Sequence, residues 1–128
     1  MKHIVVTDAD EGIGIEVVKE ILKLHSETYI YFGSRNRELG LASMEELILE
    51  QGEQVESRIE FLDLDLTSDD SVKRAGENIR IKMGENPQTL HGLVYNQVST
   101  SENDKDNIYR FHRLTEAFRL LLGDAGTI

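Results

Sequence analysis

A three-layer α/β/α domain on a doubly wound parallel sheet is the fold class this sequence predicts, and three observations carry it. Short β-branched runs alternate with longer stretches whose apolar residues recur at 3.6-residue spacing, the pattern of strands joined by crossover helices. The first run, Ile4-Val5-Val6, is consecutively apolar, which suits a strand buried on both faces. It ends in a glycine-bearing turn, residues 7–14 (TDADEGIG), which opens directly into a helical period. Right-handed crossovers then set the strand order 3-2-1-4, with a stub of a fifth strand at the end of the chain.

Taken in order, the first helix follows Gly14 and carries Ile15, Val18, Ile21, Leu22 and His25 on one face. Residues 27–34 (ETYIYFGS) are rich in β-branched and aromatic side chains and form the second strand. Residues 38–51 form the second helix, with Leu41, Met44, Leu47, Ile48 and Gln51 facing inward and Gly52 as its C-cap. Residues 57–63, centred on Ile59 and Phe61, are the third strand. Ser68 is a good N-cap for the third helix, and Asp69 and Asp70 complement its dipole. Val72, Ala75, Ile79 and Met83 mark the buried face of that helix, residues 84–87 break it, and residues 90–95 form the fourth strand. A polar loop (97–106) leads to a last helix with Ile108, Phe111, Thr115, Phe118 and Leu122 inward. Residues 123–126 end that helix, which leaves Thr127 and Ile128 to begin the fifth strand. No repeat, low-complexity tract or linker interrupts the pattern, so residues 1–128 are expected to form a single domain.

Composition narrows the function classes. The sequence has no cysteine, so disulfides, thiolate metal sites and cysteine nucleophiles are excluded, and a cytoplasmic location is expected. The formal net charge of -10 and the lack of a basic stripe argue against nucleic acid. No apolar run approaches the roughly 20 residues of a membrane span, and no signal peptide is visible, so no membrane partner is expected. His3, His25, His91 and His112 show no ligand spacing with one another or with carboxylates, and no metal site is expected.

The motifs add a resemblance to a family. Thr7, Gly12, Ile13 and Gly14 fall in register with the TGxxxGIG turn of the short-chain dehydrogenase/reductases, and the chain is similar to the N-terminal, Rossmann-like part of that family. In the family this turn holds the dinucleotide pyrophosphate at a helix N-terminus. Further landmarks arrive in order. Ser34 and Arg35 follow the second strand where NADPH-preferring members carry an arginine for the 2′-phosphate. Arg35 suits that role by its forked, permanent charge, although chemistry alone favours a surface arginine that begins a helix loop. Asp65 matches the aspartate that meets the adenine amino group, with Leu66 beside the ring, and Asp65 also reads as a cap for the turn before the third helix. Asn96 survives from the NNAG-like segment after strand four, and Asn107 matches the asparagine of the fourth helix that holds a proton-relay water. The resemblance therefore implies NADP(H) as cofactor, Thr7, Gly12, Ile13, Gly14, Ser34, Arg35, Asp65, Leu66 and Asn96 as its contacts, and Asn107 as a catalytic residue.

The departures are as specific as the matches. Asp8 stands where the family has its first glycine, Tyr95 and Val98 replace members of the asparagine-glycine segment, and Arg110 stands where the Asn107 motif has glycine. Asp8, Asp10 and Glu11 put carboxylates at a turn that elsewhere receives phosphate, each costing about 3 kcal/mol at ~5 Å and an effective dielectric near 20. The catalytic serine and the Tyr-x-x-x-Lys pair have no counterpart, so as a 128-residue chain the protein is expected to show no turnover. A carbonyl-reductase-like NADP(H)-binding domain and a non-catalytic interaction module that has lost the cofactor both remain open. Strand four is expected to be an apolar sheet edge, shielded only by residues 126–128, and this predicts a homo-oligomer through strand four and the last helix.

Overall fold

The computed structural model describes residues 2–10, 12–83, 90–94, 114 and 122–127. Its strands are β1 (Lys2–Val6), β2 (Thr28–Ser34), β3 (Ile59–Asp63), β4 (Leu90–Val94) and β5 (Leu122–Thr127). Its helices are α1 (Gly12–Leu24), α2 (Arg37–Gln51) and α3 (Asp69–Met83), with a 3-10 turn at Glu53–Arg58. The strands form one sheet in the order β3-β2-β1-β4-β5, and every pairing is parallel. This is the doubly wound arrangement expected from the sequence.

Strand alternation divides the core into two layers. Ile4 and Val6 pair in register with Ile30 and Phe32 and lie on the side of α1 and α2, where Val18, Leu22, Met44 and Leu47 close the cluster. Val5 and Tyr31 point to the other side and meet Val72, Ala75 and Ile79 of α3, together with Leu93 and the helical residue Leu114. Because both faces are covered, Ile30, Tyr31 and Phe32 are all buried in succession. Burial of each such side chain contributes about 1.5–3 kcal/mol.

Several boundaries differ from expectation for local reasons. α1 starts at Gly12 rather than after Gly14, and it ends at Leu24, so His25 lies past the helix and is exposed. Leu41 is exposed, and the inner face of α2 begins instead at Gly40, packed against Phe61 and followed by Met44 and Leu47. Gly52 closes α2 as expected, at φ 104° with its N–H on the Ile48 carbonyl. The third strand begins at Ile59, not at residue 57, because Ser57 and Arg58 belong to the 3-10 turn. Arg58 is buried there, and its guanidinium donates to the carbonyls of Thr28, Leu22 and His25.

The largest correction is at the C-terminal end. Leu122 and residues 123–126 are not the close of a helix but most of β5, which pairs with β4 from Leu90↔Leu122 to Gly92↔Thr127. The register shifts between these two pairs, in keeping with Gly123 and Gly126 in a strand of low β propensity. β4 is therefore paired on both sides, and it is not the edge on which association through strand four rested. Tyr95, the 97–106 loop and most of the expected last helix lie outside the described residues, as does the side chain of Met83.

Candidate functional site at the C-terminal edge of the sheet

In a parallel sheet the strand C-termini and the helix N-termini meet at one edge, where backbone N–H groups and helix dipoles converge. Here that edge gathers the turn after β1, the loop after β2 and the turn after β3. Three main-chain hydrogen bonds hold them together: Thr7 N–H to the Val94 carbonyl at 3.0 Å, Ala9 N–H to the Gly33 carbonyl at 2.8 Å, and Leu64 N–H to the Ser34 carbonyl at 3.1 Å.

The β1–α1 turn carries the positive-φ positions of the site. Asp8 and Gly12 both have φ 46°. The left-handed region is open to glycine and tolerated by aspartate, whose short polar side chain bonds locally. Asp8 thus follows the backbone course that a glycine would take at its position. Gly14 is required sterically, because a Cβ there would stand 2.3 Å from the Asp8 carbonyl oxygen. That contact seats the first turn of α1 against the strand-leaving chain. A Cβ at Gly12 would meet nothing within 4 Å, so the helix N-terminus opens into free space. The first turn of α1 contains no acidic residue, and Ile13 is exposed. The acidic groups precede the helix: Asp8 and Asp10 are half-buried, and Glu11 lies outside the described residues.

The other expected residues are placed as follows. Thr7 is fully buried at the end of β1. Ser34 is also fully buried; its hydroxyl accepts from Asn36 N–H at 3.1 Å and donates to the Asn36 carbonyl at 3.0 Å. Asn36 in turn caps α2 by accepting from Leu39 N–H at 3.0 Å. This brace fixes the bend that carries Arg35 on the surface. Arg37, two residues on, has its guanidinium 5.4 Å from the centre of the Phe61 ring. The Asp65 carboxylate accepts from both the N–H (2.9 Å) and the hydroxyl (2.6 Å) of Thr67, and the Asp65 N–H donates to Ser71 Oγ. The capping role is therefore realised, with Ser68 bonded to Ser71 N–H at the start of α3. Leu66 is buried in the α3-side core. Asn96 and Asn107 lie outside the described residues.

The edge thus brings together Thr7, Gly12, Ile13, Gly14, Ser34, Arg35, Asp65 and Leu66. Sequence reading missed Asn36 and Ser71, which hold the Arg35 bend and the Asp65 turn. The signal for Asn36 was present, since Asn-x-x before an apolar period is an N-cap pattern. Among the described residues no group of histidines and carboxylates could hold a metal, and no helix is long and apolar enough to cross a membrane.

A parallel α/β sheet with a glycine-bearing turn at the N-terminus of its first helix is a Rossmann-like domain. The sequence matches the short chain dehydrogenase family over residues 2–113, and the chain belongs to that family. Among solved structures it is similar to the menthone neomenthol reductase of Mentha piperita, with 29% identity, a TM-score of 0.67 and 75% of this chain covered. It is also similar to the NADPH-bound carbonyl reductase from chicken fatty liver (18% identity, TM-score 0.71, 94% of this chain). The carbonyl reductase Sniffer of D. melanogaster is a further neighbour (23% identity, TM-score 0.73, 94% of this chain). The chain spans 31%, 48% and 52% of these three proteins respectively. No curated protein sequence matches it.

Proposed function

We propose that this chain is a nucleotide-binding domain of carbonyl-reductase type that takes NADP(H) in preference to NAD(H). The observation that carries the reading is the β1–α1 turn. Left-handed Asp8 and Gly12, with Gly14 tight against the Asp8 carbonyl and open space beside Gly12, set the start of α1 at the strand edge. On this reading the N–H groups around Gly12, Ile13 and Gly14 receive the pyrophosphate, and Thr7 anchors the turn. Arg35 pairs with the 2′-phosphate, on a bend braced by Ser34. Asp65 and Leu66 flank the adenine, while Asn96 and Asn107 are carried over by their match to the family motifs. The bound dinucleotide would supply hydride chemistry. No Tyr-x-x-x-Lys pattern occurs among the 128 residues, so the chain itself is proposed to bind without turnover. The protein works in the cytoplasm on this reading, in keeping with a cysteine-free sequence, and it self-associates.

A second reading, an interaction module that has lost the cofactor, is favoured by Asp8 and Asp10 at the turn and by the commitment of Asp65 to Thr67. Titration with NADPH, followed by fluorescence and melting temperature, separates the two. Submillimolar binding that Arg35→Ala weakens more for NADPH than for NADH supports the first reading. Affinity weaker than millimolar leaves the second.

A further inference from the structure

Five polar and aromatic side chains gather on the α3 side of the sheet, toward the starts of its strands and away from the glycine-bearing turn. His3 pairs in register with Tyr29, and Tyr31 with Glu60, so strand alternation sets these four residues on one face. Tyr31 is buried, and its hydroxyl lies 3.0 Å from His3 Nδ1. Tyr29 is half-buried, and its hydroxyl donates to Glu60 Oε1 at 2.9 Å. The second oxygen of Glu60 pairs with Lys82 at the end of α3. The two phenol rings meet edge to face, 5.4 Å between centres, and the His3 ring lies 5.3 Å from Tyr29 and 5.8 Å from Tyr31.

Each of these two tyrosines thus has its own proton acceptor. Burial lowers the His3 pKa, so the ring is neutral near pH 7, and with its proton on Nε2 it accepts from Tyr31 at Nδ1. Burial raises the pKa of both phenols, so both keep their protons. A phenol that loses an electron becomes a very strong acid, and an uncompensated charge in a buried site is costly. Loss of an electron from Tyr31 is therefore eased when its proton crosses the existing hydrogen bond to His3. The imidazolium so formed donates back to the radical oxygen and holds it in place. A carboxylate is a weaker base than imidazole, and Glu60 is already engaged by Lys82. The radical accordingly rests on Tyr31, with half-exposed Tyr29 as the relay. The sequence has no cysteine and no tryptophan, the side chains that would compete for the same oxidant.

We propose that Tyr31 is a one-electron oxidation site, entered through Tyr29 and served by His3 as proton acceptor, whose substrates are outer-sphere one-electron oxidants. One electron leaves Tyr31 for the oxidant, the phenolic O–H bond breaks, and an N–H bond forms at His3 Nδ1. A one-electron donor reverses both transfers. Photo-oxidised ruthenium tris-bipyridine serves as the probe, with the radical read by absorption and electron paramagnetic resonance. The Tyr95→Phe/Tyr109→Phe chain leaves Tyr29 and Tyr31 as the only tyrosines. In it a neutral tyrosyl radical should form, live at least tenfold longer than that of free tyrosine, and form more slowly in deuterium oxide. Tyr31→Phe should shorten its lifetime at least tenfold, whereas Tyr29→Phe should slow its formation and leave its lifetime unchanged. His3→Phe, which keeps the ring contacts, should lower the yield at least tenfold with unchanged circular dichroism. The comparison of solvents on the unaltered chain needs no substitution. A radical no longer lived than that of free tyrosine overturns the proposal, as does a yield indifferent to His3→Phe or an equal rate in the two solvents.

Discussion

At Asp8 two effects compete within one residue. Its left-handed backbone, φ 46°, costs an ordinary residue about 1–2 kcal/mol, and its carboxylate adds negative charge beside a helix N-terminus otherwise suited to phosphate. Asp8→Gly removes both, against a loss of chain entropy of about 0.5–1 kcal/mol. NADPH affinity should therefore rise at least tenfold; an unchanged dissociation constant in fluorescence titration would separate Asp8 from the site. His3 presents a second balance, on the opposite end of the sheet. Its Nδ1 lies 3.0 Å from the Tyr31 hydroxyl, and its ring packs 5.3 Å from that of Tyr29 and 5.8 Å from that of Tyr31. Burial holds its pKa below the usual 6.5. The unfolded chain thus binds the proton more readily than the folded one, so this contribution is complete above about pH 6.5 and is lost as the pH falls below it. Melting temperature should decline from pH 7.5 toward pH 5.5 (both approximate), and His3→Phe, which keeps the ring contacts, should flatten the slope. An equal slope in the variant would assign the pH dependence to other groups.

At the scale of elements, Arg58 joins three of them. From the 3-10 turn its guanidinium reaches the Leu22 and His25 carbonyls at the end of α1 and the Thr28 carbonyl at the start of β2. Of these the Leu22 carbonyl lies in the last turn of α1 and is otherwise an orphan acceptor of the helix end. Arg58→Ala should cost about 2–4 kcal/mol in urea unfolding, because the acceptors lose charged donors and a buried stem is removed. Arg58→Lys should recover only a minor part, since one ammonium cannot reproduce the fork. A loss below about 1 kcal/mol would show that water replaces the guanidinium. Arg58 also shows where sequence reading ran out. Strands with two buried faces, such as Ile4–Val6 and the Tyr29–Phe32 stretch, were legible because β-branched and aromatic runs have few other fates. Gly52 and Ser68 were legible as caps because their geometry is local. Arg58 and β5 were not: an arginine in EQVESR looks like a surface residue, and LGDAGT looks like a helix stop. Both are fixed by partners distant in sequence, the carbonyls of α1 and β2 in one case and β4 in the other. At the site the turn was legible for the same local reason as the caps, whereas the Ser34–Asn36 brace depends on how the chain leaves β2.

Across the whole molecule, the net charge of -10 acts on any polyanionic ligand before local contacts form. NADPH carries about four negative charges, two on the pyrophosphate and close to two on the 2′-phosphate. Taking three of them at ~20 Å from the charge centre, unscreened repulsion in water is about 6 kcal/mol. Screening reduces this to about 3 kcal/mol at ~0.01 M salt, where the Debye length is near 30 Å, and to about 0.5 kcal/mol at ~0.15 M, where it is near 8 Å. On the proposed reading the favourable contacts are short-ranged: Arg35 to phosphate, and main-chain N–H groups at the start of α1. Pairs in direct contact are screened less over the same interval. The long-range term therefore wins, and NADPH affinity should rise about ten- to hundredfold as salt increases from ~0.01 to ~0.15 M, the reverse of ordinary phosphate binding to a basic surface. Isothermal titration at matched pH reads this directly. An affinity that falls steadily over that range would mean that Arg35 and the helix N-terminus dominate the field at the site, and that the acidic surface is too distant to matter.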